Sequence, residues 1–203
     1  MATRRVLEIM QFKVVLADVK PQVWRRIQVP STYTFWDLHV AIQDAMGWLD
    51  YHLHEFSFRG EEGEVVNIGI PDDDSFDDRS VIPGWETSIA EYFGPSSKEA
   101  LYEYDFGDDW KHIVTFEKRL PADPATKYPV CIEGKRRCPP EDCGGAYGYA
   151  RMLRILANPK HEEHEDTLTW VGGTYDPKAF DPRAVRFDNP KKRWKLAFES
   201  DGM

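Results

Sequence analysis

No stretch of this 203-residue chain approaches the ~20 consecutive apolar residues that a membrane helix needs. No secretory leader is expected either: Arg4 and Arg5 stand near the start, but Glu8 and Gln11 interrupt the apolar segment that would follow. The expectation is a cytoplasmic protein with no membrane partner. Cysteine is scarce, and the three present fall between positions 131 and 143, an odd and clustered set unlike the paired framework of a small secreted domain. Positive charge is in deficit: 26 Lys and Arg against 35 Asp and Glu give a net charge of -9, so the molecule as a whole repels polyanions. Only Lys135-Arg136-Arg137 and Lys191-Lys192-Arg193-Trp194-Lys195 offer basic patches, and neither interleaves several aromatics as a single-strand groove does. Also missing are a P-loop, a dinucleotide fingerprint, a nucleophile elbow and an H-E-x-x-H helix, together with the enzyme classes that rest on them.

What the chain does have is ring area and alternation. Hydrophobic residues make up 41% and aromatics 13%, enough for a core without metal or disulfide support. Alternation over Ile9 to Leu16, and again over Val23 to Val29 beyond Asp18-Val19-Lys20-Pro21, predicts an antiparallel hairpin. Thr34 precedes Phe35, Leu38, Ile42 and Ala45 at helical spacing. With Asp37 completing a capping box and Gly47 as a stop, the pattern predicts a helix over 35–46. His54, Phe56 and Phe58 alternate on a third strand, and Glu64 to Ile68 follows as a fourth. The run from Asp72 to Asp78 reads as a solvated loop, because it lacks the glycine and terminal glutamate of a calcium-binding EF-hand. Leu101 to Asp105 and Trp110 to Leu120 flank a tight turn, with Trp110, His112, Val114 and Phe116 on one face. Beyond the proline-rich 121–129 segment, Tyr149, Met152, Leu153 and Leu156 mark an amphipathic helix, and His161, His164, Leu168 and Val171 share a face of another. The pattern predicts a single α+β domain over 1–203, strand-rich over 1–120 and more helical over 130–203. Its sheet would be largely antiparallel and twisted, of about six strands, with helices packed on one side and a helical C-terminal region.

Two dense stretches carry most of the unusual chemistry: Tyr104-Asp105-Phe106-Gly107-Asp108-Asp109-Trp110-Lys111-His112 and Cys138-Pro139-Pro140-Glu141-Asp142-Cys143-Gly144-Gly145. Asp105-Phe106-Gly107 matches the kinase metal-binding triplet, but neither a glycine-rich loop nor a His-Arg-Asp loop accompanies it. As a plain hairpin, the first stretch needs Gly107 at positive φ, aspartates on the turn amides and Trp110 in the core. As a site, it projects Asp105, Asp109 or His112 into a cleft. In the second stretch two prolines fix φ and two glycines permit close approach, while Glu141 and Asp142 either cap the following helix or act as ligands. Cys131, Cys138 and Cys143 are spaced C-x6-C-x4-C, not as a zinc knuckle. They read as small hydrophobes, or as a Cys3His zinc site closed by His112, His161 or His164.

Taken in order, these two stretches, the earlier Lys20-Pro21-Gln22-Val23-Trp24-Arg25-Arg26, then Gly148-Tyr149, His161 with His164, and Phe180-Asp181 resemble the plasmid pRiA4b ORF-3-like family over most of the chain. The resemblance implies a small cytosolic α+β protein of bacteria or archaea, with some members linked to plasmids or insertion elements and one relative labelled a resolvase-like accessory protein. The chain itself has neither a nucleophilic serine among arginines nor a helix-turn-helix, as a serine recombinase requires. Cys143 stands where members often carry another small residue. The resemblance brings no reaction with it. The expected function is therefore a non-catalytic binding or interaction module, accessory to mobile DNA, with DNA or a protein as partner. Its candidate pocket comprises Asp105, Asp109, Trp110, His112, Glu141, Asp142 and Tyr149. The alternative is a metal-dependent hydrolase or nuclease using Asp105, Asp109, His112, Glu141, Asp142, His161 and His164, with carboxylates holding zinc or manganese and an imidazole as acid or base; His112, Cys138, His161 and His164 form a separate candidate metal set.

Overall fold

Nine residues of alternating pattern build the central strand, β1 (Glu8–Leu16), whose Met10, Phe12, Val14 and Leu16 are buried. The structure is a computed structural model that describes residues 7–60, 62–71 and 80–199. The acidic run from Asp72 to Asp78 lies outside the described residues. On one side β1 pairs antiparallel with β2 (Trp24–Pro30), the hairpin the alternation predicts. Between β2 and the next strand runs α1 (Phe35–Met46). Its capping box forms as expected: Thr34 Oγ1 accepts from the Asp37 amide at 3.2 Å, and Asp37 Oδ2 accepts from the Thr34 amide at 3.0 Å. Gly47, at φ 89, ends it.

β3 (His54–Arg59) pairs with β4 (Val65–Gly69), and β4 pairs in parallel with β5 (Val81–Pro83). After the short α2 (Ile89–Tyr92), β6 (Glu99–Tyr104) and β7 (Trp110–Pro121) form the second hairpin, and β8 (Val130–Lys135) adds to the far edge. The order is β5-β4-β3-β6-β7-β1-β2-β8, eight strands antiparallel except at the β4/β5 pair. The class is α+β with a mostly antiparallel sheet, as expected, but about six strands was an undercount. β5 is only three residues long and ends in proline. β8 is a largely exposed edge strand whose VCIEGK sequence lacks clean alternation, and it falls in the stretch expected to be helical.

One sheet face is apolar and meets α1. Phe35 of α1 packs edge-on against Phe56 of β3 at 5.1 Å between centroids, and Phe12 of β1 packs edge-on against Phe93 at 4.8 Å. The opposite face carries polar pairs: Gln28 to Gln11, Gln11 to Glu117, and Arg26 to Glu117 and Glu133. After β8 come α3 (Gly145–Leu156), α4 (His164–Trp170), a single 3-10 turn at Pro182–Ala184 and α5 (Pro190–Phe198). The last helix docks on α1: Trp36 donates its indole N–H to the Pro190 carbonyl, and Trp194 stands edge-on to Trp36 at 5.2 Å. Arg193, in the middle of the second basic run, turns inward to Asp44, Asp50 and Asp188. None of the described helices is long and apolar enough to cross a membrane.

Candidate functional site

Three connections meet at one end of the sheet: residues 47–53 between α1 and β3, the 105–109 turn between β6 and β7, and residues 136–144 leading into α3. Glu141 brackets them. One of its oxygens accepts from the Tyr104 hydroxyl at 2.6 Å, and the other accepts from the Leu49 amide at 2.7 Å. The Tyr104 oxygen accepts in turn from the Tyr51 amide at 3.0 Å, and Trp48 donates its indole N–H to the Pro139 carbonyl at 2.8 Å. Burial, and then the Glu141 carboxylate, hold the Tyr104 phenol neutral far above its ordinary range. The Asp105 amide donates to the Leu53 carbonyl at 3.0 Å, and the Gly144 amide donates to Asp108 Oδ2 at 3.0 Å.

The turn itself is built differently from the plain-hairpin expectation. Asp105 and Asp109, both at φ 56, take the left-handed conformation, and Gly107 does not. Aspartate tolerates that region because its short carboxylate bonds nearby amides. Here Asp105 Oδ1 accepts from the Gly107 and Asp108 amides at 3.0 and 3.3 Å. Its other oxygen is thereby left pointing toward the 47–53 connection.

That second oxygen, Asp105 Oδ2, lies 3.6 Å from His52 Nε2, and Asp142 Oδ1 lies 3.1 Å from the same nitrogen. All three donor atoms fall within 4.8 Å of one another, and among the described residues this is the one group of His, Cys, Asp and Glu with metal-holding geometry. Asp105 is buried, His52 half-buried and Asp142 exposed, so the cluster opens to solvent on one side. Around it stand exposed apolar side chains: Leu49, Tyr51, Leu53 and Phe106, each between 49% and 70% accessible. A cleft of about 770 Å³ runs from His52, Tyr51 and Leu53 to Trp36 and on to Leu196 of α5.

Asp50 fixes this connection from beneath. His39 Nε2 lies 2.7 Å from Asp50 Oδ1, and His39 Nδ1 lies 2.8 Å from the Tyr102 hydroxyl oxygen, which accepts from Gln43 Nε2. The His54 ring stacks on His39 at 3.4 Å and 7°. Burial, followed by the neighbouring His39, keeps His54 well below the usual imidazole range.

Of the residues expected at a site, only Asp105 and Asp142 reach the cluster. Glu141 holds loops together and leaves no oxygen free of a partner. Asp109 pairs with Lys111 at 2.6 Å. Trp110 and His112 face the core: the indole nitrogen and His112 Nε2 have no hydrogen-bond partner among the described residues, and burial pushes His112 down to about 4. The Tyr149 and Tyr175 hydroxyls lie 3.3 Å apart, with Tyr175 donating to the Cys138 carbonyl. The expected metal set of His112, Cys138, His161 and His164 does not assemble. Cys138 is buried with its thiol pushed up to about 12, His161 Nδ1 accepts from the Glu163 amide, and His164 Nδ1 bonds the Ile155 carbonyl at the α3/α4 contact. Nor do Glu141 and Asp142 cap α3, whose N-cap is Gly144 with no side-chain bond.

His52 is the residue sequence reasoning missed. Its signal was the Trp48-Leu49-Asp50-Tyr51-His52-Leu53 connection itself, a short link between a helix stop and a strand that is aromatic and apolar where loops are ordinarily polar.

The chain is thus an α+β protein whose mostly antiparallel sheet brings an imidazole and two carboxylates together where three connections converge. The chain belongs to the plasmid pRiA4b ORF-3-like protein family, whose model matches residues 8–184, in agreement with the resemblance carried by its motifs. It is 38% identical over 175 residues to the uncharacterised protein y4hQ of Sinorhizobium fredii (strain NBRC 101917 / NGR234), covering 86% of this chain and 87% of that one. It is also similar to a solved structure, the crystal structure of the protein of unknown function MM3350 from Methanosarcina mazei Go1. That match has 44% identity and a TM-score of 0.82, covering 90% of this chain and 99% of the other.

Proposed function

We propose that this protein is a binding module organised around a divalent cation, manganese or zinc, held by His52 Nε2 and by one carboxylate oxygen each from Asp105 and Asp142. A partner would dock along the apolar rim and cleft beside it. The observation that carries the reading is the 3.1 and 3.6 Å spacing of donors from three separate connections. Ligands about 2.0 to 2.2 Å from a metal ion at tetrahedral or octahedral angles lie roughly 2.8 to 3.6 Å apart, a range that both spacings meet. The remaining acids are committed to amides, a phenol and a lysine, which favours a module over an extended catalytic constellation. The basic run at 191–195 gives little support to DNA as the partner, since Arg193 is engaged by three carboxylates.

Calorimetric titration of manganese or zinc chloride into chelator-treated protein tests the proposal. One site is expected, lost in Asp105→Asn and in His52→Ala. An ion pair among the same groups predicts no uptake, and uptake unchanged in both variants places the metal elsewhere. A second reading, a metal-dependent hydrolase, is favoured by the solvent-open side of the cluster, because three protein ligands leave positions for water and substrate. Manganese-dependent cleavage of bis(4-nitrophenyl) phosphate, abolished by Asp105→Asn, separates it from the binding module.

A further inference from the structure

Arg25 sits on the core face of β2, where the strand's alternation calls for an apolar side chain, and it is 1% accessible. A buried guanidinium ordinarily has a carboxylate beside it. This one has none. Its Nε donates to the Ala45 carbonyl at the end of α1 at 2.7 Å, and its Nη1 donates to the carbonyls of Trp24 and Lys135 at 2.8 and 3.1 Å. The Phe180 ring covers one face at 3.7 Å. These contacts use three of the five N–H groups and leave Nη2 with no hydrogen bond among the described residues. A cleft of about 260 Å³ opens against Arg25, and Arg137, Arg186 and Cys138 also line it.

The charges around this cleft do not cancel. Its two acids are already bound: Asp44 to Arg193 and the Asp188 amide, and Asp181 to Arg183. Arg137 lies over the Tyr175 ring, and Arg186 donates to the carbonyls of Arg183 and Val185. Three arginines therefore meet at one concavity, none with a carboxylate partner among the described residues, in a protein whose net charge is -9. A guanidinium edge with two unused donors suits a tetrahedral oxyanion, which accepts at several oxygens at once.

From this geometry we infer a second binding site, for inorganic phosphate or a small phosphomonoester, with Arg25 Nη2 at its floor and Arg137 and Arg186 at its mouth. It is independent of the cation cluster, since no residue of the His52, Asp105 and Asp142 group lines it.

The test is calorimetric titration of sodium phosphate, and separately phenyl phosphate, into the full chain in chloride buffer at constant ionic strength. Arg137 and Arg186 are exposed, so Arg137→Gln/Arg186→Gln spares the core. Saturable binding is expected, weakened about tenfold or more in that double variant, as loss of charge-assisted contacts implies. Arg25→Lys, which keeps the charge but loses the edge, is expected to bind more weakly than the native chain while its circular dichroism is retained. Binding of inorganic phosphate alone narrows the ligand to the free ion, and binding of both extends it to monoesters. No saturable heat with either probe, or equal affinity in the native chain and the double variant, overturns the site.

Discussion

His112 has both ring nitrogens away from water, one 3.3 Å from the Tyr102 carbonyl oxygen and the other without a partner among the described residues. Its position on β7, beside acids and aromatics, made it the natural candidate for a ligand or base. Period-2 alternation was the better guide, because the same pattern that buries Trp110, Val114 and Phe116 buries His112. The consequence is a stability effect. The folded-state value of about 4 lies below the ordinary imidazole value of 6.5. Between those values the unfolded chain binds a proton that the folded chain refuses, so stability is full above 6.5 and falls as pH drops toward 4. The loss from His112 is about 3 kcal/mol, and His54 shifts in the same direction. Urea unfolding at pH 7.5 and 4.5 checks this: His112→Leu is expected to shrink the difference between the two, and an unchanged difference would remove His112 as its source. At this scale the sequence was least legible for His52, because its role depends on where two distant carboxylates arrive.

Elements with strong local signals were the legible ones. Thr34, Asp37 and Gly47 bound α1 as read. The strands that escaped notice are edges, where exposure blurs alternation and pairing is set by distant partners: β8 takes its register from β2, and β5 takes its register from β4. The junction between the 105–109 turn and α3 was legible as unusual chemistry but not as a mutual fit. Gly145, at φ 65, lies so close to the Asp108 carbonyl oxygen that an added Cβ would run into it, whereas Gly47 has open space around it. Gly145→Ala is therefore expected to cost more stability than Gly47→Ala, whose penalty is the left-handed backbone alone, about 1 kcal/mol. It should also loosen the Asp108 to Gly144 bond and weaken cation uptake, while Gly47→Ala leaves uptake intact. Thermal melts and metal titrations of the two variants make the comparison, and equal losses would mean that close packing at Gly145 does not hold the junction.

For the whole molecule, the α+β class and the meeting of the two dense stretches were readable, while the third participant was not. The 47–53 connection is held by groups distant in sequence: Asp50 lies against Arg193 of α5, and the Leu49 and Tyr51 amides bond Glu141 and Tyr104. Charge is divided in the same way. Carboxylates gather at the open loop end, and behind β2 stand three arginines with no carboxylate partner among the described residues, a separation that the overall balance of -9 conceals. The most direct measurement is anomalous scattering from a crystal grown with manganese chloride. The cation reading predicts a peak between His52 Nε2, Asp105 Oδ2 and Asp142 Oδ1, roughly 2.1 to 2.3 Å from each. Well-ordered side chains at those three positions with no peak among them would contradict it.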